Sequence, residues 1–286
     1  MKICQTIASI RDFVRSVRNK GPVGLVPTMG YFHEGHLALM RRARQECTTV
    51  VVSIFVNPIQ FGPSEDYETY PRNTERDLHL AREAGVDAVF IPGAAEMYPE
   101  GYATYVDVER LTDKLCGRSR PGHFRGVATV VTKLFNIVNP DIAYFGEKDA
   151  QQLQVIRKMV RDLNMPVKVV GIPTVREPDG LAMSSRNTYL SPGERRAATV
   201  LYRALQQVCR AVAKGERDPV YLQQMMKEII NQEPLVQLEY AEIYQLPDLE
   251  PLSVLKGDVL VAVAARCGRA RLIDNVRLNM ESLGEK

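Results

Sequence analysis

Short runs of apolar and β-branched residues alternate with amphipathic segments of helical length through the first 176 residues. The run 49–56, Thr-Val-Val-Val-Ser-Ile-Phe-Val, is apolar on both faces, which is typical of a central strand in a parallel sheet. The other predicted elements are, in chain order, strand 23–26, helix 36–46, helix 73–84, strand 88–91, helix 127–138, strand 142–145, helix 149–162 and strand 167–171. Such alternation predicts an α/β fold, a parallel sheet with helices on both faces.

The pattern changes after residue 176. The predicted elements there are, in order, helix 192–214, helix 219–231 and three segments that alternate like antiparallel strands, 236–245, 258–266 and 270–276. We therefore expect two domains: an α/β domain over residues 1–176 and a smaller α+β C-terminal domain over residues 177–286.

Polar, glycine-bearing segments follow several of the predicted strands, where parallel sheets bind their ligands. In the segment 27–36, Pro-Thr-Met-Gly-Tyr-Phe-His-Glu-Gly-His, the residues His33 and His36 stand where a helix begins. A helix N-terminus offers N–H groups and a positive dipole end to an anion, and both histidines can point at the same anion. The segment therefore predicts a phosphate site at which a nucleotide is cleaved.

The histidine pair has two other interpretations. A metal site usually needs a third and a fourth ligand of matching type, but the other histidines, His79 and His123, lie elsewhere and no cysteines form a C-x-x-C pair. One of the two histidines could also be an ordinary surface residue. The nucleotide-phosphate interpretation is favoured over both.

Four further segments carry groups suited to anions or small polar substrates. They are 146–149 (Gly-Glu-Lys-Asp), 183–186 (Met-Ser-Ser-Arg), 57–61 (Asn-Pro-Ile-Gln-Phe) and 118–126, which holds three arginines and His123. Lysine offers a compact positive charge to a phosphate or carboxylate, and a serine–arginine loop can bind phosphate oxygens. Amide side chains can both donate and accept hydrogen bonds, which suits hydroxyl and carboxylate groups. Each segment alone could instead be a solvated turn or a capping turn.

Composition narrows the function further. Of the 286 residues, 45% are hydrophobic and 25% charged, and the net charge of +3 does not argue for a nucleic-acid partner. The sequence has no run of about 18 apolar residues, so it predicts no membrane span. The five scattered cysteines suggest reduced thiols in a cytoplasmic protein. The P-loop, G-x-G-x-x-G and G-x-S-x-G motifs do not occur.

Together, these segments resemble the pantothenate synthetase (pantoate–β-alanine ligase) family of the nucleotidylyltransferase superfamily. The similarity extends from residue 26 to residue 275, and the five segments that carry it are 29–36, 55–61, 122–127, 145–153 and 179–187. The resemblance implies a Rossmann-like first domain that binds nucleotide and pantoate, and a C-terminal lid domain. It also implies a cytoplasmic homodimer with no nucleic-acid or membrane partner.

The resemblance implies that pantoate attacks ATP to give pantoyl adenylate and pyrophosphate, and that β-alanine then gives pantothenate, the precursor of coenzyme A, and AMP. The residues implied in catalysis are His36, His33, Lys148, Ser184, Ser185 and Arg186. Those implied at the ATP site are Met29, Gly30, Tyr31, Phe32, His33, Glu34, Gly35, His36, Gly146, Glu147, Lys148, Asp149, Val175, Met183, Ser184, Ser185 and Arg186. The implied substrate-binding residues are Gln60 and Gln152, with His123 and Arg125 as weaker candidates. Mg²⁺ is expected with ATP, and the sequence identifies no protein ligand for it.

Three alternatives were considered. Another nucleotidylyltransferase is disfavoured by the pairing of Gln60 with Gln152 and by the Met-Ser-Ser-Arg loop. A relative of class I aminoacyl-tRNA synthetases is disfavoured by the near-neutral charge. A nucleotide-binding regulator without catalysis is disfavoured by the presence of His33, His36 and Lys148.

Overall fold

A computed structural model describes residues 1–63 and 65–282 of the chain. The chain forms two compact units. The first comprises Met1–Asp113, Gly117–Glu147 and Gln151–Val175, and the second comprises Lys114–Cys116, Lys148–Ala150 and the chain from Arg176 onward. Two short pieces of the N-terminal part of the sequence, one of which contains Lys148, therefore belong to the second unit.

A parallel sheet forms the centre of the first unit. Its strands are β1 (Lys2–Cys4), β2 (Val23–Thr28), β3 (Thr49–Ile54), β4 (Ala88–Phe90), β5 (Ile142–Gly146) and β6 (Lys168–Ile172). Their order is β1-β4-β3-β2-β5-β6, and every pairing in this sheet is parallel. β2 and β3 lie in the middle, and all six residues of β3 are buried.

The helices in the first 175 residues are α1 (Ile7–Val17), α2 (Glu34–Glu46), α3 (Thr74–Glu83), α4 (Ala94–Met97), α5 (Leu115–Ser119), α6 (His123–Val138) and α7 (Ala150–Asp162). These helices cover both faces of the sheet, as two consecutive residues of β5 show. Neighbouring side chains of a strand point to opposite faces of the sheet. The Tyr144 hydroxyl donates to Glu46 at the end of α2, at 2.8 Å. The Phe145 ring lies 6.5 Å from that of Phe135 in α6.

The second unit contains α8 (Pro192–Ala197), α9 (Val200–Ala213), α10 (Pro219–Asn231), β7 (Val236–Gln245), β8 (Asp258–Cys267) and β9 (Ala270–Asn279). The three strands form an antiparallel sheet in the order β7-β8-β9. One face of α9 and of α10 packs with alternate residues of these strands in a single hydrophobic cluster.

The predicted fold class is confirmed by the parallel sheet with its helices and by the small antiparallel sheet. Two predicted helices differ from the structure by more than two residues. The helix predicted over 127–138 begins at His123, so His123 and Arg125 lie on its first turn and not in a loop. The helix predicted over 192–214 is broken near Thr199, whose hydroxyl donates to the Arg196 carbonyl at 2.7 Å and so competes with the helical backbone bonds.

Candidate active site

The turn between β2 and α2 is capped by the two histidines identified in the sequence. His33 is the N-cap of α2, and its Nδ1 accepts the backbone N–H of Gly35 at 3.1 Å. The Nδ1 of His36 accepts the backbone N–H of His33 at 3.3 Å. A neutral imidazole that accepts at Nδ1 carries its proton on Nε2. This arrangement therefore makes the Nε2–H of each ring a hydrogen-bond donor at a helix N-terminus.

The ring of His33 can fold back onto the helix only because residue 35 is glycine. A Cβ atom at Gly35 would lie 2.8 Å from Cε1 and 2.9 Å from Nδ1 of His33. Real Cβ atoms do not approach other atoms so closely, so any other residue would displace the ring. The His-x-Gly-His spacing thus has a direct steric cause.

A buried carboxylate from α3 holds the same turn. Asp77, which is 1% exposed, accepts the backbone N–H groups of Tyr31 and Phe32 through its two oxygens, each at 2.7 Å. Tyr31 has a φ of 52°, a left-handed conformation that is costly for a tyrosine. Burial raises the pKa of Asp77, and the two N–H bonds oppose that rise. Asp77 was not predicted from the sequence, since nothing local in the sequence distinguishes it from the other charges of α3.

Gln60 lies in a 3₁₀ turn, Pro58–Gln60, after β3. Its side chain is 9% exposed, and its Oε1 accepts from Nδ2 of Asn57 at 3.1 Å. Its Nε2 lies 3.2 Å from Sδ of Met29, a weak acceptor. Gln60 and Met29, both predicted from the sequence as site residues, are therefore in contact within the first unit.

His123 binds the backbone of Gln60 through its ring. Its Nε2 lies 3.0 Å from Nη1 of Arg120, which can only donate, so Nε2 is the acceptor. Its Nδ1 then carries the proton and donates to the Gln60 carbonyl at 2.9 Å. Arg120 is in turn held by Glu65 at 2.5 and 2.6 Å. These bonds support a positioning role for His123, while its contact with pantoate stays a prediction.

The remaining predicted substrate residues have different surroundings. The guanidinium of Arg125 lies 4.1 Å from the ring centroid of Tyr105, a cation–π contact. Gln152 is half-buried on the first turn of α7. Its neighbour Gln151 is buried and donates to the Leu111 carbonyl at 2.7 Å, which is a structural role. Of the two adjacent glutamines, Gln152 is therefore the candidate for a substrate.

In the second unit, β9 anchors the two predicted phosphate-binding segments. Asn275 donates through Nδ2 to the Lys148 carbonyl at 2.9 Å. Asp274, which is 3% exposed, accepts from both Nη atoms of Arg176 at 2.7 and 2.9 Å. Burial raises the pKa of Asp274, and the Arg176 bonds and charge oppose that rise. Neither Asn275 nor Asp274 was identified as a support from the sequence.

The Met-Ser-Ser-Arg segment forms a capped turn. The Ser184 hydroxyl accepts the backbone N–H of Arg186 at 3.3 Å and caps a short 3₁₀ helix, Ser185–Tyr189. Arg176 also donates to the Gly180 carbonyl at 3.0 Å, which steadies the loop that leads into the segment. Lys148 and Ser184 line one small cavity. The structure therefore brings Lys148 and Ser184 together.

The other residues predicted at the ATP site follow strand ends or belong to these segments. Gly146 is the last residue of β5, Glu147 and Asp149 belong to a 3₁₀ turn, and Val175 follows β6. A Cβ atom at Gly146 would meet nothing within 4 Å. Ser185 is buried, whereas Met183 and Arg186 are partly exposed.

The described residues contain no group of three or more His, Cys, Asp and Glu side chains that could hold a metal ion. A Mg²⁺ ion bound mainly by phosphate oxygens and water needs no such group. In the same part of the chain, none of the helices has both the length and the apolar character required to cross a bilayer.

The chain is similar to known proteins over nearly its whole length. The sequence model of the pantoate-beta-alanine ligase family matches residues 2–277. This chain belongs to that family. The pantothenate synthetase of Pelotomaculum thermopropionicum is 62% identical over 279 residues, which are 97% of this chain and 99% of that protein. The enzyme of Heliobacterium modesticaldum is 58% identical over 277 residues, 96% and 99% of the two chains.

Solved structures agree with the family membership. The pantothenate synthetase of Thermus thermophilus has a TM-score of 0.92 and 52% identity, covering 96% of this chain and 99% of that one. The pantoate-beta-alanine ligase of Francisella tularensis, solved with beta-gamma ATP and beta-alanine, has a TM-score of 0.80 and 33% identity over 98% of both chains. The predicted family and enzyme class are confirmed: the chain is an ATP-dependent ligase of pantoate and β-alanine.

Proposed function

We propose that the chain forms pantothenate in two steps through pantoyl adenylate. In the first step, a carboxylate oxygen of pantoate bonds to the α-phosphorus of ATP, and the bond from that phosphorus to pyrophosphate breaks. In the second, the amine of β-alanine bonds to the acyl carbon, AMP leaves, and the nitrogen loses a proton. The observation that carries this proposal is the pair of Nε2–H donors that the backbone caps of His33 and His36 create at the start of α2.

His36 and His33 act on the phosphates of ATP. Negative charge builds on the α-phosphate and on the departing pyrophosphate in the first transition state. Donors that the fold has already oriented stabilise that charge without reorganising. The dipole of α2 adds to the same field, although the N–H groups of Gly35, His36 and Leu37 are already bound by His33 within the cap. His36 is the main catalytic histidine in this assignment, and Met29, Gly30, Tyr31, Glu34 and Gly35 line the ATP site. Phe32, which was predicted there as well, is fully buried in the hydrophobic core and supports the turn instead.

In the second unit, Lys148, Ser184, Ser185 and Arg186 bind phosphate oxygens of ATP. Ser184 accepts a bond from the turn it caps, and its hydroxyl hydrogen is able to donate to an anion. Lys148 shares a cavity with Ser184, which supports a joint role. Gly146, Glu147, Asp149, Val175 and Met183 complete the proposed nucleotide contacts.

Gln60 and Gln152 bind the polar groups of pantoate, and Gln60 later binds β-alanine. His123 and Arg125 stay weaker candidates for contacts with pantoate. Mg²⁺ enters as part of the MgATP substrate and neutralises phosphate charge. About one alkyl amine in a thousand is neutral at pH 7 when lysine serves as the reference. The second step therefore depends on an adenylate that is kept from water until a neutral amine arrives.

We further propose that the protein is a cytoplasmic homodimer with no nucleic-acid or membrane partner. The near-neutral net charge supports the absence of a nucleic-acid partner, and the widely scattered cysteines support a cytoplasmic location. The homodimer is supported by the family resemblance alone. Sedimentation of the purified protein across a range of concentrations tests the dimer, and a monomer at every concentration would contradict it.

The decisive experiment is pantoate-dependent exchange of labelled pyrophosphate into ATP, with Mg²⁺ and without β-alanine. We expect exchange in the unaltered protein and its loss in His36→Ala. His79→Ala is the matched control, since His79 is an exposed histidine of α3. If ATP binds but no exchange occurs while β-alanine still yields AMP and pantothenate, the separate adenylate step is wrong.

A further inference from the structure

The orientation of the Gln60 amide is fixed by its neighbour Asn57, which is 1% exposed. Nδ2 of Asn57 donates to Oε1 of Gln60 and to the Gly126 carbonyl, both at 3.1 Å. A carbonyl oxygen only accepts, so the Asn57 atom that faces Gly126 is the nitrogen. Its two hydrogens are then used, and the Gln60 atom that faces Asn57 is the oxygen. Gln60 consequently turns its NH₂ group away from Asn57.

The remaining polar atom of Asn57 is bound by a tyrosine. The Tyr98 hydroxyl donates to Oδ1 of Asn57 at 2.7 Å. Burial, with the neighbouring Tyr102 and Tyr105, raises the pKa of Tyr98 above its usual value, so the phenol keeps its proton. Every hydrogen-bonding atom of the Asn57 side chain is thus engaged, and the chain of bonds from Tyr98 to Gln60 has a single direction.

We propose that Tyr98 is a positioning residue that holds the Gln60 amide, through Asn57, with its NH₂ group toward the hydroxy acid substrate. The inference rests on the proposed function, in which Gln60 binds pantoate. The NH₂ group, which also contacts Sδ of Met29, can donate to carboxylate and hydroxyl oxygens, whereas the amide oxygen would repel a carboxylate. Without the Tyr98 hydroxyl, Oδ1 of Asn57 becomes a buried acceptor without a partner, which is energetically costly. The present orientation of the Asn57 amide is then no longer strongly favoured.

The ring of Tyr98 has its own packing, which makes a clean substitution available. Its centroid lies 5.0 Å from that of Tyr102 and 6.2 Å from that of Phe55. The Nζ of Lys133 lies 5.6 Å from the same ring. These contacts do not involve the hydroxyl, so Tyr98→Phe keeps them and removes only the oxygen that binds Asn57.

The test is steady-state pyrophosphate exchange by Tyr98→Phe at varied pantoate and varied ATP. We expect KM for pantoate to rise about three- to tenfold, which corresponds to the net free energy of one hydrogen bond. We expect kcat and KM for ATP to change less than about twofold, by the same reasoning, since neither depends on that bond. Tyr102→Phe is the matched control, because it removes a hydroxyl from the same aromatic cluster and leaves Asn57 untouched.

A double-mutant cycle separates positioning from general destabilisation. In a Gln60→Ala background, Tyr98→Phe should no longer change kcat/KM for pantoate. An equal effect in both backgrounds, or an equal rise in KM for ATP and for pantoate, would overturn the inference.

Gln60→Glu tests the orientation without altering Tyr98. It places a carboxylate oxygen where the NH₂ stood, so it should impair pantoate use more than Gln60→Ala does, and a smaller loss would also overturn the inference. Absence of pantoate-dependent exchange in the unaltered protein would instead refute the proposed function.

Discussion

The imidazole of His36 accepts a hydrogen bond from the backbone N–H of His33, with Nδ1 and N 3.3 Å apart. His33 makes the equivalent bond to Gly35. The bonds that start α2 therefore also decide which ring nitrogen carries the proton. The helix cap and the proposed catalytic donor are two ends of the same side chain.

Two substitutions of His36 should separate these two ends. Asparagine can place an acceptor near the position of Nδ1, and glutamine can place a donor near that of Nε2. We expect His36→Asn to keep most of the thermal stability and to lose about 10²–10³ in the exchange rate. His36→Gln should retain more of the rate and less of the stability. Thermal unfolding and pyrophosphate exchange measure the two effects, and an Asn variant as active as the Gln variant would contradict the assignment.

Asp77→Asn should loosen the histidine turn from a distance. The substitution replaces one acceptor by an NH₂ group that faces a backbone N–H, so we expect a loss of about 1–3 kcal/mol in the free energy of unfolding. KM for ATP should rise in the same variant. Glu75→Gln is the matched control, because it removes an exposed charge from the same helical turn. Urea unfolding that gives the same value for both variants would show that the Asp77 bonds are unimportant.

The pair of Glu65 and Arg120 predicts a pH effect. Burial favours a higher pKa for Glu65, but the bond and charge of Arg120, together with the bond from the Gly62 N–H, oppose burial, and the net pKa is lowered. A lowered pKa in the folded state gives stability that is present above about 4.5, the ordinary value, and lost as the pH falls through the folded value.

The stability difference between the unaltered protein and Glu65→Gln should thus be largest near neutral pH and shrink in acid. Urea unfolding at pH 7 and at pH 4 and below measures it. The exposed Glu68→Gln serves as the control. A stability difference that grows on acidification would show that the pKa of Glu65 is raised by folding and not lowered.

Arg176 and Arg195 should contribute very different amounts to the free energy of unfolding. Arg176→Ala leaves the buried carboxylate of Asp274 without its partner and should cost about 3–5 kcal/mol. Arg195 binds Asp179 with similar geometry, at 2.7 and 3.1 Å, but the Asp179 side chain is 47% exposed, against 3% for that of Asp274. Arg195→Ala should therefore cost only about 0–1 kcal/mol.

Urea unfolding of both arginine variants measures this contrast. Arg176→Lys keeps the positive charge but not the two parallel hydrogen bonds to Asp274. Its free energy of unfolding should lie between those of the unaltered protein and Arg176→Ala. Equal losses in Arg176→Ala and Arg195→Ala would contradict the role of burial.

The sequence predicted the elements whose periodicity is strong. The central strand β3, the helix α10 and the strand β7 appear where the pattern placed them. The start of α6 was missed because Gly122 and Gly126 bracket the polar residues His123 and Arg125, a composition typical of a loop, although the backbone is helical from His123. The break at Thr199 was missed because a threonine hydroxyl that takes a backbone carbonyl leaves no periodic signal.

The candidate site was predictable where its groups are close in sequence and not where they support one another across the fold. The His33–His36 spacing already placed both histidines at a helix start. Asp77 lies more than 40 residues further along, and its bonds to the turn depend on how α3 packs. Tyr98 and Asn57 are similarly distant, and only the coordinates show that a hydroxyl, an amide and Gln60 form one series of bonds.

The Gly126 carbonyl belongs to α6, a helix whose buried face helps to form the hydrophobic core. A Cβ atom at residue 126 would lie 2.6 Å from the Cα of Gln60, so the helix and the Gln60 turn are in direct contact. Engineering of the core and engineering of substrate preference are therefore not separate problems in this enzyme. A library that resizes the apolar residues of α6 will also change the position of the Gln60 amide, the group proposed to bind the acid.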